Sequence, residues 1–431
     1  MRRRLPAEIT GLALSAALLA GCAQGPGDAA GDGVVELTFW AWAPNMERIV
    51  DEWNADRPDV QVTVSNLAQG DNLVTKLLTS HKAGFLPDLV QAEYQALPTL
   101  VSRGVLADIS GHTQGAGDRF PESAWRQATL GTDAVYAIPQ DVAPMMMFYR
   151  HDLFAELDLV VPRDWDEFAD TARQVRERDP GRYLTTFSAN DPGWFAGLSQ
   201  QARASWWSTE GGTWSVGVAG PPTLDVARYW GELVEQDLVD DQPMYTPAWN
   251  KALGDGTQLA WLSGVWAPGV LAGTVPQTEG DWRMAPLPQW DPDRPATGNW
   301  GGSTTAVTTG SEHAAAAAEF ALWLNTDPEA VGLLIQEAGV YPALESAQTG
   351  GALTEPPPFM AGQPDFYEEA AGIAATTSPF AFGPNVNVTY ATYKAAFTDV
   401  INEDADFTDA VRRMHEATLT DMRDTGFEVA G

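Results

Sequence analysis

The strongest constraint on the fold is the alternation of strand and helix signals along residues 34–94. β-Branched and apolar runs at 34–42, 60–64 and 87–94 predict three strands, and the amphipathic stretches between them predict two helices. A strand–helix–strand series of this kind builds a parallel sheet with helices on its faces. We therefore expect an α/β protein whose ligand binds beyond the carboxyl ends of the strands.

Aromatic and acidic residues stand at those strand ends. Trp42 closes the first predicted strand, and Glu93 and Tyr94 close the third. Because the carboxyl ends of parallel strands meet at one edge of a sheet, we predict that all three side chains contact the ligand.

A further candidate lies in the segment 131–150, where two apolar, strand-like runs flank a break. Pro139 and Pro144 deny this break a continuous hydrogen-bonded ladder. The break contains one acid, Asp141, and a carboxylate between buried strands requires a donor. Asp141 is either a turn residue that bonds its own backbone or a hinge acid that faces a ligand cleft.

The chain contains 17 tryptophans, and most tryptophans in proteins are core residues. Four lie on apolar helical stripes and are assigned to the core: Trp53, Trp165, Trp230 and Trp323. Four others stand in loops that follow strands and contain Gly or Pro: Trp42, Trp194, Trp266 and Trp300. A flat indole face can stack on the C–H face of a sugar ring, with roughly 1 kcal/mol beyond burial. The second group therefore predicts ligand contacts, with core packing as the alternative.

The N-terminus has the pattern of a lipoprotein signal peptide. A basic start and a short apolar run lead into small residues before Cys22, the only cysteine in the sequence. The run is too short for a membrane-spanning helix. We predict a signal peptide at 1–21 and a lipidated, flexible tether at 22–33 that begins with Cys22. A secretory signal with an incidental cysteine is the alternative.

Composition and motifs exclude several functions. Roughly 400 residues follow the tether, which is natural for two domains. The formal net charge of −33 argues against nucleic acid and anionic lipid as partners. The sequence has no Gly–Lys pair for a P-loop and no G-x-S-x-G motif, and its five histidines are scattered. We predict neither a metal site nor a cofactor.

Short segments along the predicted mature chain resemble one protein family, and they follow the family order. Those segments include Phe39-Trp-Ala-Trp42, Pro87-Asp-Leu-Val90, Gly104-Val-Leu-Ala-Asp108, Tyr136-Ala-Ile-Pro139, Tyr149-Arg-His-Asp-Leu-Phe154, Ala285-Pro-Leu-Pro288 and Gly301-Gly302. With the lipoprotein signal, they are similar to extracellular solute-binding proteins of ABC importers, in the carbohydrate-binding, maltose-binding-like family. The resemblance implies a periplasmic-binding-protein fold of two α/β lobes, each with a mainly parallel sheet, that close on a sugar.

The predicted division places 34–140 and 289–326 in an N-terminal lobe, and 141–288 and 327–425 in a C-terminal lobe. Crossing segments near Asp141 and between 289 and 302 join the two lobes.

The family pattern also implies roles for individual residues. Glu93 corresponds to the acid after the third strand and Asp141 to the hinge acid. Trp266 corresponds to the tryptophan that stacks under a sugar ring, and Gly301 and Gly302 follow the second crossing.

One position departs from that pattern. Many relatives that bind α-glucosides have an arginine before the proline that is Pro384 here, but this chain has Gly383. The resemblance therefore does not support maltose or trehalose as the ligand.

The sequence thus predicts a monomeric, non-enzymatic sugar receptor that is anchored outside the cytoplasm by the lipid on Cys22. Its partners would be a mono- or oligosaccharide and separate permease and ATPase subunits. A cationic ligand such as a polyamine is the alternative within binding proteins. A secreted glycosidase, which needs two close carboxylates with one raised pKa, is the alternative from another class.

Overall fold

A computed structural model of the chain describes residues 33–67, 71–403 and 405–430. The predicted signal peptide, Cys22 and the tether up to residue 32 lie outside these residues. Among the residues described, none of the helices combines the length and apolar character needed to span a bilayer.

The first part of the chain alternates strands and helices, as the sequence predicts. Its elements are β1 (Val35–Ala41), α1 (Met46–Asp56), β2 (Val60–Asn66), α2 (Asp71–Lys82), β3 (Leu89–Glu93), α3 (Leu97–Ser102), α4 (Glu122–Ala128) and β4 (Ala137–Asp141).

The middle part builds a second body. Its elements are β5 (Met145–Arg150), α5 (His151–Glu156), α6 (Trp165–Arg178), α7 (Pro192–Gln201), β6 (Trp207–Glu210), β7 (Thr213–Val216), α8 (Pro221–Glu235), α9 (Pro247–Asp255), β8 (Ala260–Gly264), α10 (Ala267–Thr274) and β9 (Trp282–Pro286).

The last part of the chain returns to the first body and then to the second. Its elements are β10 (Ser303–Val307), α11 (Ala314–Thr326), α12 (Pro328–Ala338), α13 (Phe366–Ala374), α14 (Val386–Glu403) and α15 (Phe407–Asp424).

The first lobe contains a sheet with the strand order β2-β1-β3-β10-β4. β1 is parallel to β2 and β3, whereas β10 runs antiparallel to β3 and β4. Ser303, at the start of β10, therefore pairs with Glu93 on one side and Asp141 on the other. The carboxyl ends of β1, β3 and β4 meet at this edge, which is the predicted position of a ligand site.

The second lobe contains the sheet β8-β5-β9, in which both neighbours of β5 are antiparallel to it. This differs from the mainly parallel sheet that the sequence predicts. β5 leaves the first lobe at Met145, while β8 and β9 both end beside the start of β5, so each must run against it. Parallel pairing occurs here as single bridges, such as Tyr183 with Gln258. The two-lobed α/β fold itself is confirmed.

The packing also corrects the predicted division of the chain at two places. Helix α12 belongs to the first lobe, because it packs on α1 and α11 and buries Val331 and Leu334. The side-chain amide of Asn45, the residue at the start of α1, donates to the Glu337 carbonyl at the end of α12 (3.0 Å). The segment before β10 belongs to the second lobe, where the Thr297 hydroxyl donates to the Met145 carbonyl (2.6 Å).

The tryptophans predicted for the core lie largely there. Trp53, Trp165 and Trp230 are buried, which confirms the prediction for them. Trp323 lies at the edge of the core, with its ring 5.3 Å from that of Trp53.

Candidate ligand-binding cleft

Two crossing segments lie side by side between the lobes. The first is 142–144, and the second contains Gly301 and Gly302. The Trp300 N–H donates to the Ala143 carbonyl (3.0 Å), which ties the two segments together. Both glycines adopt positive φ angles, 97° and 94°, that L side chains rarely adopt. A Cβ on Gly302 would lie 3.1 Å from the Tyr94 ring, so a side chain there would also crowd that ring.

Asp141 ends β4 at the edge where the crossing begins. It is partly buried, and the Ser303 hydroxyl donates to its carboxylate. The Gln91 amide donates to the same hydroxyl (3.0 Å), and the Gln91 carbonyl oxygen accepts from the backbone N–H groups of Trp42 and Ala43 (both 3.1 Å). This chain of bonds fixes the carboxylate relative to the loop that carries Trp42.

The position of Asp141 differs from the predicted break over 139–144. Pro139 is part of β4 and pairs with Thr304 where the register between β4 and β10 shifts. A proline is tolerated at such an irregularity because no ladder hydrogen bond requires its missing N–H. The break therefore shrinks to 142–144, and Asp141 stands at a strand end.

Burial changes the acidity of groups in this part of the cleft. Desolvation raises the pKa of Asp141 to about 6, although the bonds from Ser303 lower it. Burial also raises the pKa of the Tyr94 hydroxyl well above its usual value, and the Asp141 charge raises it further. Tyr94 and Asp141 are therefore close enough to interact electrically, as expected for two residues of one site.

The other predicted first-lobe residues surround this centre. Glu93 is partly buried and accepts a bond from the Gln95 amide (3.0 Å). Trp42 is also partly buried and packs against the core of the lobe. The structure thus brings Trp42, Glu93, Tyr94 and Asp141 to one edge of the sheet.

Aromatic residues of the second lobe meet this edge from the other side. Trp266 follows β8 and is partly buried, with its ring 4.9 Å from that of Trp300 at 67°. Its N–H donates to the Trp300 carbonyl (2.8 Å), which leaves the indole without a further donor. With its N–H already bonded, the ring could contact a ligand only through its apolar surface, which is the contact that stacking on a sugar uses. Trp300 itself is only 7% exposed and mainly supports Trp266.

Two residues of this area were not among the predicted site residues. Asp191 accepts bonds from the Trp194 backbone N–H (3.1 Å) and from the Trp300 side chain. Burial raises the pKa of Asp191 to about 6, against the effect of these bonds and of the Lys394 charge. An Asp before Pro192 is a helix-start signal that could have marked it.

Tyr245 is the second such residue, and no sequence pattern marks it. It is 46% exposed, adopts a φ angle of 62°, and lies 6.3 Å from the Trp300 ring. Left-handed backbone at a bulky residue is strained and clusters at binding sites.

Trp194 does not lie at the cleft with Trp266, and its predicted ligand contact requires correction. It is wholly buried in α7, packs 5.0 Å from the Trp230 ring, and donates to the Leu262 carbonyl (3.0 Å). The predicted loop is a helix because Asp191 caps it and Pro192 occupies its first turn.

The arrangement is that of a two-lobed protein in which the acid-bearing sheet edge of one lobe and an aromatic group of the other lie beside the same crossing segment, at Gly302 and Gly301. Among the described residues, no group of three His, Cys, Asp or Glu side chains could hold a metal ion.

Comparison with known proteins defines the family. The chain belongs to the bacterial extracellular solute-binding proteins, whose family model matches residues 41–331. It is 24% identical over 315 residues to an arabinooligosaccharide-binding protein of Halalkalibacterium halodurans, a match that covers 69% of each chain. A lipoprotein of Streptomyces antibioticus is 33% identical over 207 residues, which cover 44% of this chain and 43% of that one.

The fold is similar to that of the galacto-N-biose/lacto-N-biose I-binding protein of the Bifidobacterium longum ABC transporter, solved with lacto-N-biose. The TM-score is 0.82 and the identity 24%, and the match covers 93% of this chain and all of the other.

Proposed function

We propose that this protein binds a neutral sugar between its lobes and delivers it to the permease of an ABC importer. The observation that carries the proposal is that Asp141, on the first lobe, lies beside Gly302, while the Trp266 ring, on the second lobe, lies beside the adjacent Gly301. A carboxylate that accepts hydroxyl bonds and an indole face that covers C–H groups together match the two surfaces of a sugar ring. The sugars bound by the arabinooligosaccharide-binding relative and by the structurally similar lacto-N-biose-binding protein support this choice.

The geometry also gives the protein a way to respond to its ligand. The two halves of the site belong to different lobes, and the crossing segments 142–144 and 301–302 lie between them, with the Val142 N–H bonded to the Tyr341 carbonyl (3.0 Å). A ligand that bonds Asp141 and stacks on Trp266 would stabilise the state in which the lobes are closed. The closed state is what a permease could recognise.

A thermal-shift screen tests the proposed ligand class. A ligand at 100 times its Kd adds about 2.7 kcal/mol to the folded state and raises the melting temperature. We expect a rise with arabino-, galacto- or gluco-saccharides. A rise with spermidine alone would instead favour a polyamine receptor, and conversion of the saccharides would favour a glycosidase.

We expect Trp266→Ala to weaken sugar binding at least roughly tenfold, because loss of a stacked indole removes more than about 1.4 kcal/mol. Isothermal titration calorimetry of the folded variant measures the change. Trp290→Ala is the matched control, since Trp290 is 39% exposed and packs on Trp165, away from Trp266. Equal affinities of Trp266→Ala and Trp290→Ala would show that Trp266 does not contact the sugar.

We further propose that the lipid on Cys22 holds the protein on the outer face of the cell membrane. The lipoprotein pattern of the sequence and the lipoprotein relative support the anchor. Buried acyl chains contribute about 0.8 kcal/mol per CH₂, and two chains anchor durably.

Cys22→Ala is therefore expected to move the protein from the membrane fraction to the medium, as cell fractionation would measure. A fusion of residues 1–33 to an unrelated soluble protein provides the converse test. Continued membrane association of the Cys22→Ala variant would contradict the lipid anchor.

A further inference from the structure

Asp191 has a structural role at the start of α7. Its carboxylate accepts from the backbone N–H groups of Trp194 (3.1 Å) and Gly193, so it caps the first turn of the helix. These bonds fix the carboxylate relative to the second lobe. A cap does not require a carboxylate whose pKa is raised by burial, so capping alone does not account for Asp191.

Asp406 shows what capping alone requires. It accepts from the Thr408 backbone N–H (2.8 Å) at the start of α15, the residue is exposed, and its bonds to Thr408 lower its pKa. Burial instead raises the pKa of Asp191 to about 6. Burying a carboxylate is unfavourable unless a further partner compensates for the lost water. For Asp191 that partner is Trp300.

The indole of Trp300 lies against the Asp191 carboxylate, and its N–H donates to it. Gly193 leaves the space for this contact, because a Cβ there would lie 3.1 Å from Trp300 Nε1 and 3.5 Å from Asp191 Oδ1. Trp300 is only 7% exposed, so its N–H needs an acceptor within the protein. An ionised acceptor holds such a donor more strongly than a neutral one does.

Trp300 in turn holds Trp266. The Trp266 N–H donates to the Trp300 carbonyl (2.8 Å), and the two rings lie 4.9 Å apart at 67°. Trp261 also packs edge to face on Trp266, at 5.5 Å and 70°. Such edge contacts are broad in geometry, whereas a hydrogen bond has a preferred direction. The Trp300 carbonyl therefore sets the orientation of the Trp266 ring, and Asp191 sets the position of Trp300.

We infer that Asp191 is a positioning residue for sugar binding, which acts through Trp300 to orient the face of Trp266 on which the sugar stacks. The inference rests on the proposed function and gives Asp191 a role other than contact with the sugar. A ligand that meets an oriented ring loses less free energy to ordering when it binds. Loss of this series of two bonds should therefore reduce affinity although no contact with the sugar is deleted.

Replacing Asp191 by serine separates positioning from capping. Serine is as good a helix cap as aspartate, but its side chain is too short to bond Trp300 as well. We expect folded Asp191→Ser to bind sugar about three- to tenfold more weakly than the wild type, as isothermal titration calorimetry would measure. Asp191→Asn retains an oxygen that can accept from Trp300 and should recover part of this loss. Asp406→Ser is the matched control, since it makes the same change at the cap of α15.

Indole N–H signals in the NMR spectrum of ¹⁵N-tryptophan-labelled protein report the two bonds without any sugar. Trp266→Phe and Trp300→Phe identify the two signals, because each removes one of them. Asp191→Ser should shift the signals of both Trp300 and Trp266, whereas Asp406→Ser should shift neither. A role confined to the cap of α7 would leave the Trp266 signal in place, which would overturn the inference.

A double-mutant cycle distinguishes positioning from direct contact. If Asp191 acts through Trp266, Asp191→Ser should weaken binding by less than about twofold when residue 266 is already alanine. A loss of about three- to tenfold in both backgrounds would instead show that Asp191 contacts the sugar itself, and the positioning role would be overturned.

The outcomes separate this inference from the proposed function. If the wild type binds no saccharide, the proposed function fails and the inference fails with it. If the wild type binds sugar and Asp191→Ser binds it as tightly, the proposed function stands and the positioning role is overturned. Trp300→Phe tests the same bonds should Asp191→Ser not fold, because it removes the indole donor but keeps the carbonyl that Trp266 bonds. It should shift the Trp266 signal and weaken binding, and wild-type affinity with an unshifted signal would contradict the inference.

Discussion

Replacing Asp141 by alanine is expected to weaken sugar binding at least roughly tenfold near neutral pH. A hydrogen bond to a charged group contributes about 1.5–3 kcal/mol, and about 1.4 kcal/mol corresponds to one decade in affinity. The carboxylate is already held by Ser303, which Gln91 holds in turn, so little ordering remains to be done when the ligand arrives. Calorimetry on the folded variant measures the loss.

The pH dependence gives this prediction a second readout. Because burial raises the pKa of Asp141 to about 6, the carboxyl accepts bonds fully only above that pH. Affinity should therefore fall as the pH decreases through about 6. Asp191 has a pKa of about 6 as well, so Asp141→Asn should remove only part of this dependence.

Stability should change with pH in the opposite sense. The folded-state pKa of Asp141 lies above the value of 3.8 for a free carboxyl, so folded protein binds this proton more tightly than unfolded protein does. The contribution is fully present below about 4 and is lost as the pH rises through about 6. Asp141→Asn should thus gain melting temperature relative to the wild type between pH 4 and pH 7, while it binds sugar less well.

Ser303→Ala separates the role of the acid from that of its support. It removes the donor but leaves the carboxylate, so binding should weaken less than in Asp141→Ala. If Asp141→Ala instead binds sugar as tightly as the wild type, Asp141 is a strand-end residue without contact to the ligand.

Much of the first lobe could be predicted from the sequence because its signals are local. The alternation of strands and helices over 34–94 has the correct order, since each apolar face must find a covering layer. Which edge of the sheet collects the carboxyl ends of the strands then follows from the strand topology. Glu93 and Asp141 lie together at that edge, on either side of Ser303.

The errors have non-local causes. Trp194 lies among Gly and Pro, which favours a loop, but Asp191 and Pro192 begin a helix that the second-lobe core covers. Likewise, the apolar stripe of α12 could pack on either lobe from its sequence alone. Its contacts with α1 show that it belongs to the first lobe. The place of Tyr245 beside Trp300 depends on parts of the chain that are distant in sequence, which the periodicity of apolar residues does not report.

Trp53→Ala is expected to have the largest effect on stability, at about 3–5 kcal/mol, because it deletes a large side chain from a packed core. Trp53 is 1% exposed, and its ring lies 5.4 Å from Phe320 and 5.3 Å from Trp323, so it joins α1 to α11. Its N–H donates to the Val60 carbonyl at the start of β2 (3.0 Å). Chemical denaturation followed by tryptophan fluorescence or circular dichroism measures the loss.

Trp53→Phe is the matched control for this deletion. It retains an aromatic ring between α1 and α11 but removes the donor to Val60, so it should lose less stability than Trp53→Ala. Both variants should bind sugar with nearly wild-type affinity in their folded fraction, since Trp53 lies in the core of the first lobe. A stable Trp53→Ala protein with weakened binding would reverse this assignment, because it would place Trp53 with the ligand and not with the core.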